Sequence, residues 1–327
     1  MGQTVSCVDV VQQVAPKGDE YARRGAAVVT GSTNGIGVPT VESMLSAGFD
    51  RVFATARSEA AAKALSDDLN AKLGADKIAD RLVIVNMDLT DLKSVRAAAD
   101  RIDRESGERG VSVLINNAGV MNTPYGATKD GLEMQIGTNH FGHVLLTDLL
   151  VPALERSGRN SESAKAGDVA RVVFVSSEAH KMAPGAKGFD EATFEFDAAR
   201  AGAYSGWSAY GQSKLANVLA ALDFDRNFAK NKQPIAAFSL HPGVIATGLG
   251  VHTTGFSVFK VLGSPFMKTV PQGAATSVYC ALTQQALANR GGYFADAAFK
   301  GATQKGQNAA NAAELMQLTR AILEKKN

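Results

Sequence analysis

AAVVTGSTNGIG, residues 26–37, carries an apolar run into a glycine-rich turn, and a helical pattern follows through about Ala47. Gly31, Gly35 and Gly37 stand in a G-x-x-x-G-x-G spacing. Glycines so placed permit a tight turn and close approach of the backbone to a pyrophosphate. The helix that starts there aims the positive end of its dipole at that charge. The bland reading of the same letters is a surface turn. Its position directly after a strand and directly before a helix argues for a dinucleotide site instead. Thr33, Asn34 and Ile36 belong to this turn and are candidate cofactor contacts.

Beyond this stretch, short β-rich runs alternate with helical periodicity, the order of βαβ units. Strands are expected at Ala26–Thr30, Arg51–Ala56, Arg81–Asn86, Val111–Ile115, Arg171–Val175 and Ile235–Leu240, with a short seventh near Gly292–Ala295. Helices are expected at Ala60–Leu73, Leu92–Asp103, Gly131–Leu154, Ser208–Ala229 and Gly273–Leu282. Right-handed crossovers then place helices on both faces. The expected fold is α/β: a doubly wound, Rossmann-type parallel sheet of about seven strands in a single domain over 25–300. It is flanked by an N-terminal extension (1–24) and a helical tail (301–327).

Three stretches break the rhythm. Ser157–Val169 is polar and reads as a surface loop. Glu178–Trp207 and Gly248–Val270 are insertions, the second carrying Phe256, Val258, Phe259, Val261, Leu262, Phe266 and Met267. Ligands in open α/β sheets bind beyond the carboxyl ends of the strands, so both insertions are expected to cover the substrate.

Composition is that of an ordinary globule, 45% apolar and 20% charged, and a net charge of +2 without a basic block gives no sign of nucleic-acid binding. Cys7 and Cys280 are far apart and form neither a disulfide framework nor a zinc spacing, which suits a reducing compartment. No apolar run approaches the ~18 residues of a membrane span, and the start lacks the basic-then-apolar order of a secretory leader. A cytoplasmic location follows, with an organellar one left open. Residues 1–7, MGQTVSC, match the N-myristoylation pattern at Gly2 and Ser6. Cys7 could carry a second acyl chain, so peripheral membrane association through Gly2 and Cys7 is one expectation and an unmodified N-terminus the other. Composition also leaves a homo-oligomer open.

Two chemical signals remain. In YGQSK, Tyr210 precedes Lys214 by four residues, one helical turn on the same face, where a cation favours the phenolate and eases proton exchange. Arg57 ends the second strand in FATARS, and no acidic residue competes before Glu59. An NAD site usually offers a carboxylate here, whereas arginine clamps a 2′-phosphate, so NADP(H) is expected over NAD(H).

In order and spacing, TGSTNGIG, NNAG (116–119), Asn139, the Ser176-Ser177 pair and Tyr210/Lys214 resemble the short-chain dehydrogenase/reductase family over roughly residues 25–297. The segments KDGLEMQIGTNHFGHVLLT, SSEAHK, AYGQSKLANVL, SLHPGVIATGLG and VPQGAATSVY are similar to its retinol-dehydrogenase-like branch. That branch also holds the WW-domain oxidoreductase and a dehydrogenase-like component of the chloroplast inner-envelope import machinery. The resemblance implies a catalytic tetrad of Asn139, Ser177, Tyr210 and Lys214. Tyr210 would be the general acid/base and Ser177 would bond the substrate oxygen. Lys214 would lower the Tyr210 pKa and hold the nicotinamide ribose. Asn139 would bend its helix and hold a water leading from Lys214. The resemblance also implies adenine contacts at Asp88 and Leu89, an adenosine ribose lined by Asn117, Ala118 and Gly119, and a nicotinamide cover at Pro242, Gly243, Val244 and Thr247. Asn34 departs from it, standing where many NADP-preferring relatives carry a basic residue. No metal is implied, and His140, His143, His180 and His241 are expected to pack or line. The expected activity interconverts an apolar carbonyl compound and its alcohol. The alternative is an NADP(H)-binding redox sensor with little turnover.

Overall fold

The computed structural model describes residues 5–14, 25–160, 168–245 and 267–326. After helix α1 (Cys7–Val14) come β1 (Ala26–Val29), α2 (Gly37–Ser46), β2 (Val52–Ala56), α3 (Glu59–Leu73) and β3 (Leu82–Asn86). Then follow α4 (Leu92–Ser106), β4 (Val111–Asn116), α5 (Gly142–Asn160), β5 (Ala170–Val175), α6 (Gly206–Lys230) and β6 (Ile235–His241). The chain closes with α7 (Val270–Leu282), β7 (Tyr293–Ala295), β8 (Ala298–Phe299) and α8 (Ala309–Lys325). The strands form one sheet of order β3-β2-β1-β4-β5-β6-β7-β8, parallel up to β7. Central strands such as Ala26–Val29 and Val111–Asn116 are buried along their whole length, which is why they read as continuous apolar runs rather than alternating ones.

Among the described residues the sheet holds the seven parallel strands expected, β1 to β7, and an eighth at its edge. β8 pairs antiparallel with β7 through Asp296 and Ala297, both at positive φ (54° and 52°). A two-residue hairpin loop needs that backbone, normally signalled by Asn-Gly. Asp-Ala gives no such signal, and a two-residue strand has no periodicity to read.

Helices cover both faces. Leu114, Phe141, Leu146, Phe174, Phe224 and Leu315 belong to one apolar layer, and Val29, Met44, Val113, Phe238, Val278 and Phe294 to the other. α8 packs on α6 in the first layer. The unforeseen α1 packs on α2 and α7 in the second, burying Val10 and Val11. Ser6 opens α1 with a reciprocal cap: its N–H donates to Asp9 Oδ2 (2.8 Å) while Asp9 N–H donates to Ser6 Oγ (3.2 Å).

That docking bears on Cys7. Its side chain is 2% exposed in the second layer, and burial pushes the thiol pKa up. Acyl transfer needs a reachable thiolate, so a second acyl chain at Cys7 would require α1 to leave this seat. Gly2 lies outside the described residues.

Candidate active site

β1 pairs with β2 on one side and β4 on the other, and the chain reverses its direction of travel across the sheet at this point. Crevices for ligands form where strand order reverses. A cavity of about 540 Å³ opens there, lined by the turn after β1, the ends of β2 to β6 and the first turns of α6.

On the nucleotide side the lining includes Gly31, Thr33, Asn34, Gly35, Ile36, Arg57, Asp88, Leu89, Asn117, Ala118 and Gly119. Gly37 lies beneath the turn, where an added Cβ would stand 2.1 Å from the Gly31 carbonyl oxygen. The N-cap of α2, Ile36, supplies no side-chain hydrogen bond, whereas Ser58, Asp91, Ser205 and Thr269 cap α3, α4, α6 and α7. Gly35 and Gly37 N–H donate to Asn34 Oδ1 (2.7 Å) and the Asn34 carbonyl (3.2 Å), Thr40 N–H donates to the Ile36 carbonyl (3.1 Å), and Pro39 has no N–H, which leaves Ile36 and Val38 as the N–H groups of this helix end that an anion could take. Arg57 is exposed and makes no hydrogen bond or ion pair among the described residues, while Asp88 Oδ1 is engaged by the Thr90 N–H (2.9 Å) and hydroxyl (2.8 Å). These residues fit a nicotinamide dinucleotide. The Asn117 amide braces the turn, donating to the Thr30 carbonyl at 2.7 Å, and Asn116 ties β4 to α5 through Thr147 (2.9 Å).

On the chemical side, Ser177, Tyr210 and Lys214 share the cavity wall. Ser176 Oγ donates to the Lys214 carbonyl at 2.6 Å and is buried, which leaves Ser177 as the serine beside Tyr210. Lys214 Nζ donates to the Val175 carbonyl (3.1 Å) and stands 5.6 Å from the Tyr210 ring centre. Burial pulls the Lys214 pKa down to about 8. Burial pushes the Tyr210 pKa up to about 12, with the Ser177 hydroxyl pulling the other way. The ammonium is turned to a backbone carbonyl, and burial is the first cause acting on the phenol.

Asn139 does not line the cavity. It is fully buried in a π-turn, Gly137–Phe141, the bend expected of it. Its Oδ1 accepts from Val120 N–H (2.8 Å), and its Nδ2 donates to the Val120 carbonyl and Ser213 Oγ, both at 2.9 Å.

Pro242, Gly243 and Val244 line the far wall, and Thr247 lies outside the described residues. Of the two insertions, only 178–207 is described over its length. Residues 246–266 are outside the described residues. The 178–207 segment reaches the cavity only near its ends, through Ala179 and Trp207. Its middle packs on the body: Phe194 is fully buried against Phe141, and Lys187 pairs with Glu314 of α8 (2.5 Å). Bulk at Phe189 and Phe194 drives that packing, and length alone did not reveal it. The sequence reading also missed Thr55, Met87, Thr90, Val120, Met121 and Thr138, which are brought to the lining by strand ends without any motif.

His180 Nδ1 bonds the Ser177 carbonyl (2.7 Å), and His140 Nε2 meets Thr319 Oγ1 of α8 (2.9 Å). His241 lines the cavity, with a buried Nδ1 that has no hydrogen-bond partner among the described residues.

The sequence matches the short chain dehydrogenase family profile over residues 25–188. Human retinol dehydrogenase 12 is 37% identical over 271 residues, covering 82% of this chain and 77% of that protein. The Brassica napus short-chain dehydrogenase TIC 32 A, chloroplastic, is 35% identical, covering 84% and 81%. The crystal structure of an uncharacterized protein from Mycobacterium paratuberculosis superposes with a TM-score of 0.68 at 30% identity, covering 93% and 94%. The chain belongs to the short-chain dehydrogenase family, in its retinol-dehydrogenase-like branch. Its class of chemistry is accordingly that of an oxidoreductase.

Proposed function

We propose that the protein is an NADP(H)-dependent oxidoreductase that interconverts an apolar carbonyl compound and its alcohol. The observation that carries this reading is the convergence, in one cavity, of the glycine turn before α2, an Arg57 with no partner among the described residues, and Ser177, Tyr210 and Lys214. The glycine turn and the N-terminal end of α2 hold the pyrophosphate, Arg57 the 2′-phosphate, Asp88 and Leu89 the adenine side, and Lys214 the nicotinamide ribose. When bound, the cofactor supplies or accepts the hydride.

Tyr210 holds its proton through neutral pH because burial keeps its pKa near 12. It therefore stands ready to donate to a carbonyl oxygen, the reductive direction. Ser177 donates to the same oxygen, where negative charge develops. The mouth of the cavity is oily. Met121, Val244 and Trp207 line it, and Trp207 is 41% exposed, meeting Tyr210 edge-on at 6.2 Å. Exposed aromatic and aliphatic groups at a cavity mouth suit a lipophilic substrate. Retinol dehydrogenases, by their name, act on such an alcohol, and that likeness supports the class of substrate rather than its identity.

The test is oxidation of NADPH, followed by absorbance, with a panel of hydrophobic aldehydes and ketones, in the wild type and in Tyr210→Phe. The variant should bind NADPH normally and turn over at least a hundredfold more slowly, the scale of a general acid. Near-normal turnover by Tyr210→Phe would overturn the assignment. Tight NADPH binding without turnover of any panel member would favour the redox-sensing alternative.

A further inference from the structure

The mechanism leaves out one fully buried ring that touches both halves of the site. His143 lies one turn after Asn139, at the start of α5. Its Nε2 is 2.9 Å from Thr30 Oγ1, and its Nδ1 is 2.9 Å from the Asn139 carbonyl oxygen. Thr30 Oγ1 also accepts the N–H groups of Asn117 and Ala118, each at 2.9 Å. A hydroxyl has one proton and two acceptor lone pairs. The two amides occupy both lone pairs, so the hydroxyl proton points to His143 Nε2. Nε2 is then the acceptor, the ring proton sits on Nδ1, and Nδ1–H donates to Asn139. The neighbours thus determine the tautomer, and burial, with Lys214 acting in the same sense, keeps the ring neutral.

The bonds continue from there. The Asn139 amide donates to Ser213 Oγ (2.9 Å), and Ser213 Oγ donates to the Tyr210 carbonyl (2.8 Å). We propose that His143 is a positioning residue that couples the cofactor turn to the proton-donating helix. Nε2 holds Thr30, and with it the Asn117–Ala118 backbone and the Gly31 turn. Nδ1 holds the π-turn of Asn139, and with it Ser213 and the backbone of Tyr210. The inference rests on the roles given above to the glycine turn and Tyr210. Its own content is that one ring serves two separable functions.

Separability supplies the test. A glutamine amide reaches as far as Nε2, and an asparagine amide only as far as Nδ1. His143→Gln should keep the NADPH Kd, read by fluorescence titration, within about threefold while kcat falls about tenfold, the worth of a neutral hydrogen bond lost from the catalytic side. His143→Asn should do the reverse, weakening the Kd about tenfold and leaving kcat at saturating NADPH within about threefold. A role in packing alone would move Kd and kcat together in both variants, and that result, or no change in either, would overturn the proposal. Should neither variant fold, the wild-type protein still decides. The ¹⁵N chemical shifts of its imidazoles must show one neutral Nδ1–H tautomer with an acceptor Nε2, and an Nε2–H ring would overturn the hydrogen-bond assignment. The Kd and ¹⁵N readings do not depend on turnover, so an active Tyr210→Phe would fail the functional reading without touching them.

Discussion

Replacing Arg57 with alanine isolates cofactor choice from everything else in the site. The side chain is exposed at the end of β2, lines the cavity, and has no hydrogen-bond or salt-bridge partner among the described residues. Its removal should leave stability within about 0.5 kcal/mol of wild type, as for other surface positions without partners. Toward a 2′-phosphate the guanidinium can form paired, charge-assisted bonds, worth about 1.5–3 kcal/mol at full strength. Exposure and salt screening favour the lower part of that range. At 1.4 kcal/mol per factor of ten, about 1.5–2 kcal/mol means that Arg57→Ala should lower the NADPH-over-NADH ratio of kcat/KM about tenfold to thirtyfold. NADH turnover should hardly change, since NADH lacks the phosphate. Raising salt from ~0.05 to ~0.5 M should erode the wild-type preference and leave the variant flat. The assay is initial rates with both cofactors at one fixed substrate concentration. An unchanged ratio would refute the reasoning and leave Arg57 a solvated surface charge.

Gly37→Ala places a Cβ 2.1 Å from the Gly31 carbonyl oxygen, against backbone that cannot rotate away. NADPH affinity should drop sharply in a titration, and a normal Kd would show that the turn can yield. His140, His143 and His241 are held by burial at about 3, about 4 and about 4, below the ordinary 6.5. Below pH 6.5 the unfolded chain therefore binds more protons than the native one, and stability falls with falling pH. The loss is about 1.4 kcal/mol per unit per ring until the folded pKa is reached. Urea titrations at pH 7.5 and 5.5 should show the loss, and a midpoint that does not move would contradict it. Trp207 is the chain's only tryptophan and lines the cavity, so NADPH or an apolar ketone should quench its emission. Trp207→Ala should raise KM for bulky substrates more than it lowers kcat, and equal effects on small and bulky substrates would argue against a substrate-facing ring.

Most of the fold was legible in the letters, because buried parallel strands are continuous apolar runs and the turn after β1 needs glycine. Residues 26–37 announce a strand, a phosphate-sized turn and a helix within twelve positions, and Tyr210 and Lys214 share a helix face by spacing alone. Local geometry is sufficient for such statements. The antiparallel β8 escaped because Asp296-Ala297 forms its loop without the usual glycine, and α1 escaped because its helix is defined by docking on α2 and α7. That docking also buries Cys7, which its neighbours in sequence do not announce.

Electrostatics and reach belong to the tertiary structure. Spacing puts Lys214 on the same helix face as a phenol, and the folded chain adds what spacing does not state: the ammonium donates to the Val175 carbonyl and burial raises the Tyr210 pKa. Ser176 and Ser177 are equivalent letters until one hydroxyl is seen bonded to the Lys214 carbonyl. His143 had no motif of its own, and its meaning came from Thr30, 113 positions away, and from two amides of β4's end that fill the hydroxyl between them. A motif specifies which groups a segment can present. Which proton each one holds, and toward whom, depends on burial and on partners that only the closed fold brings within hydrogen-bonding distance.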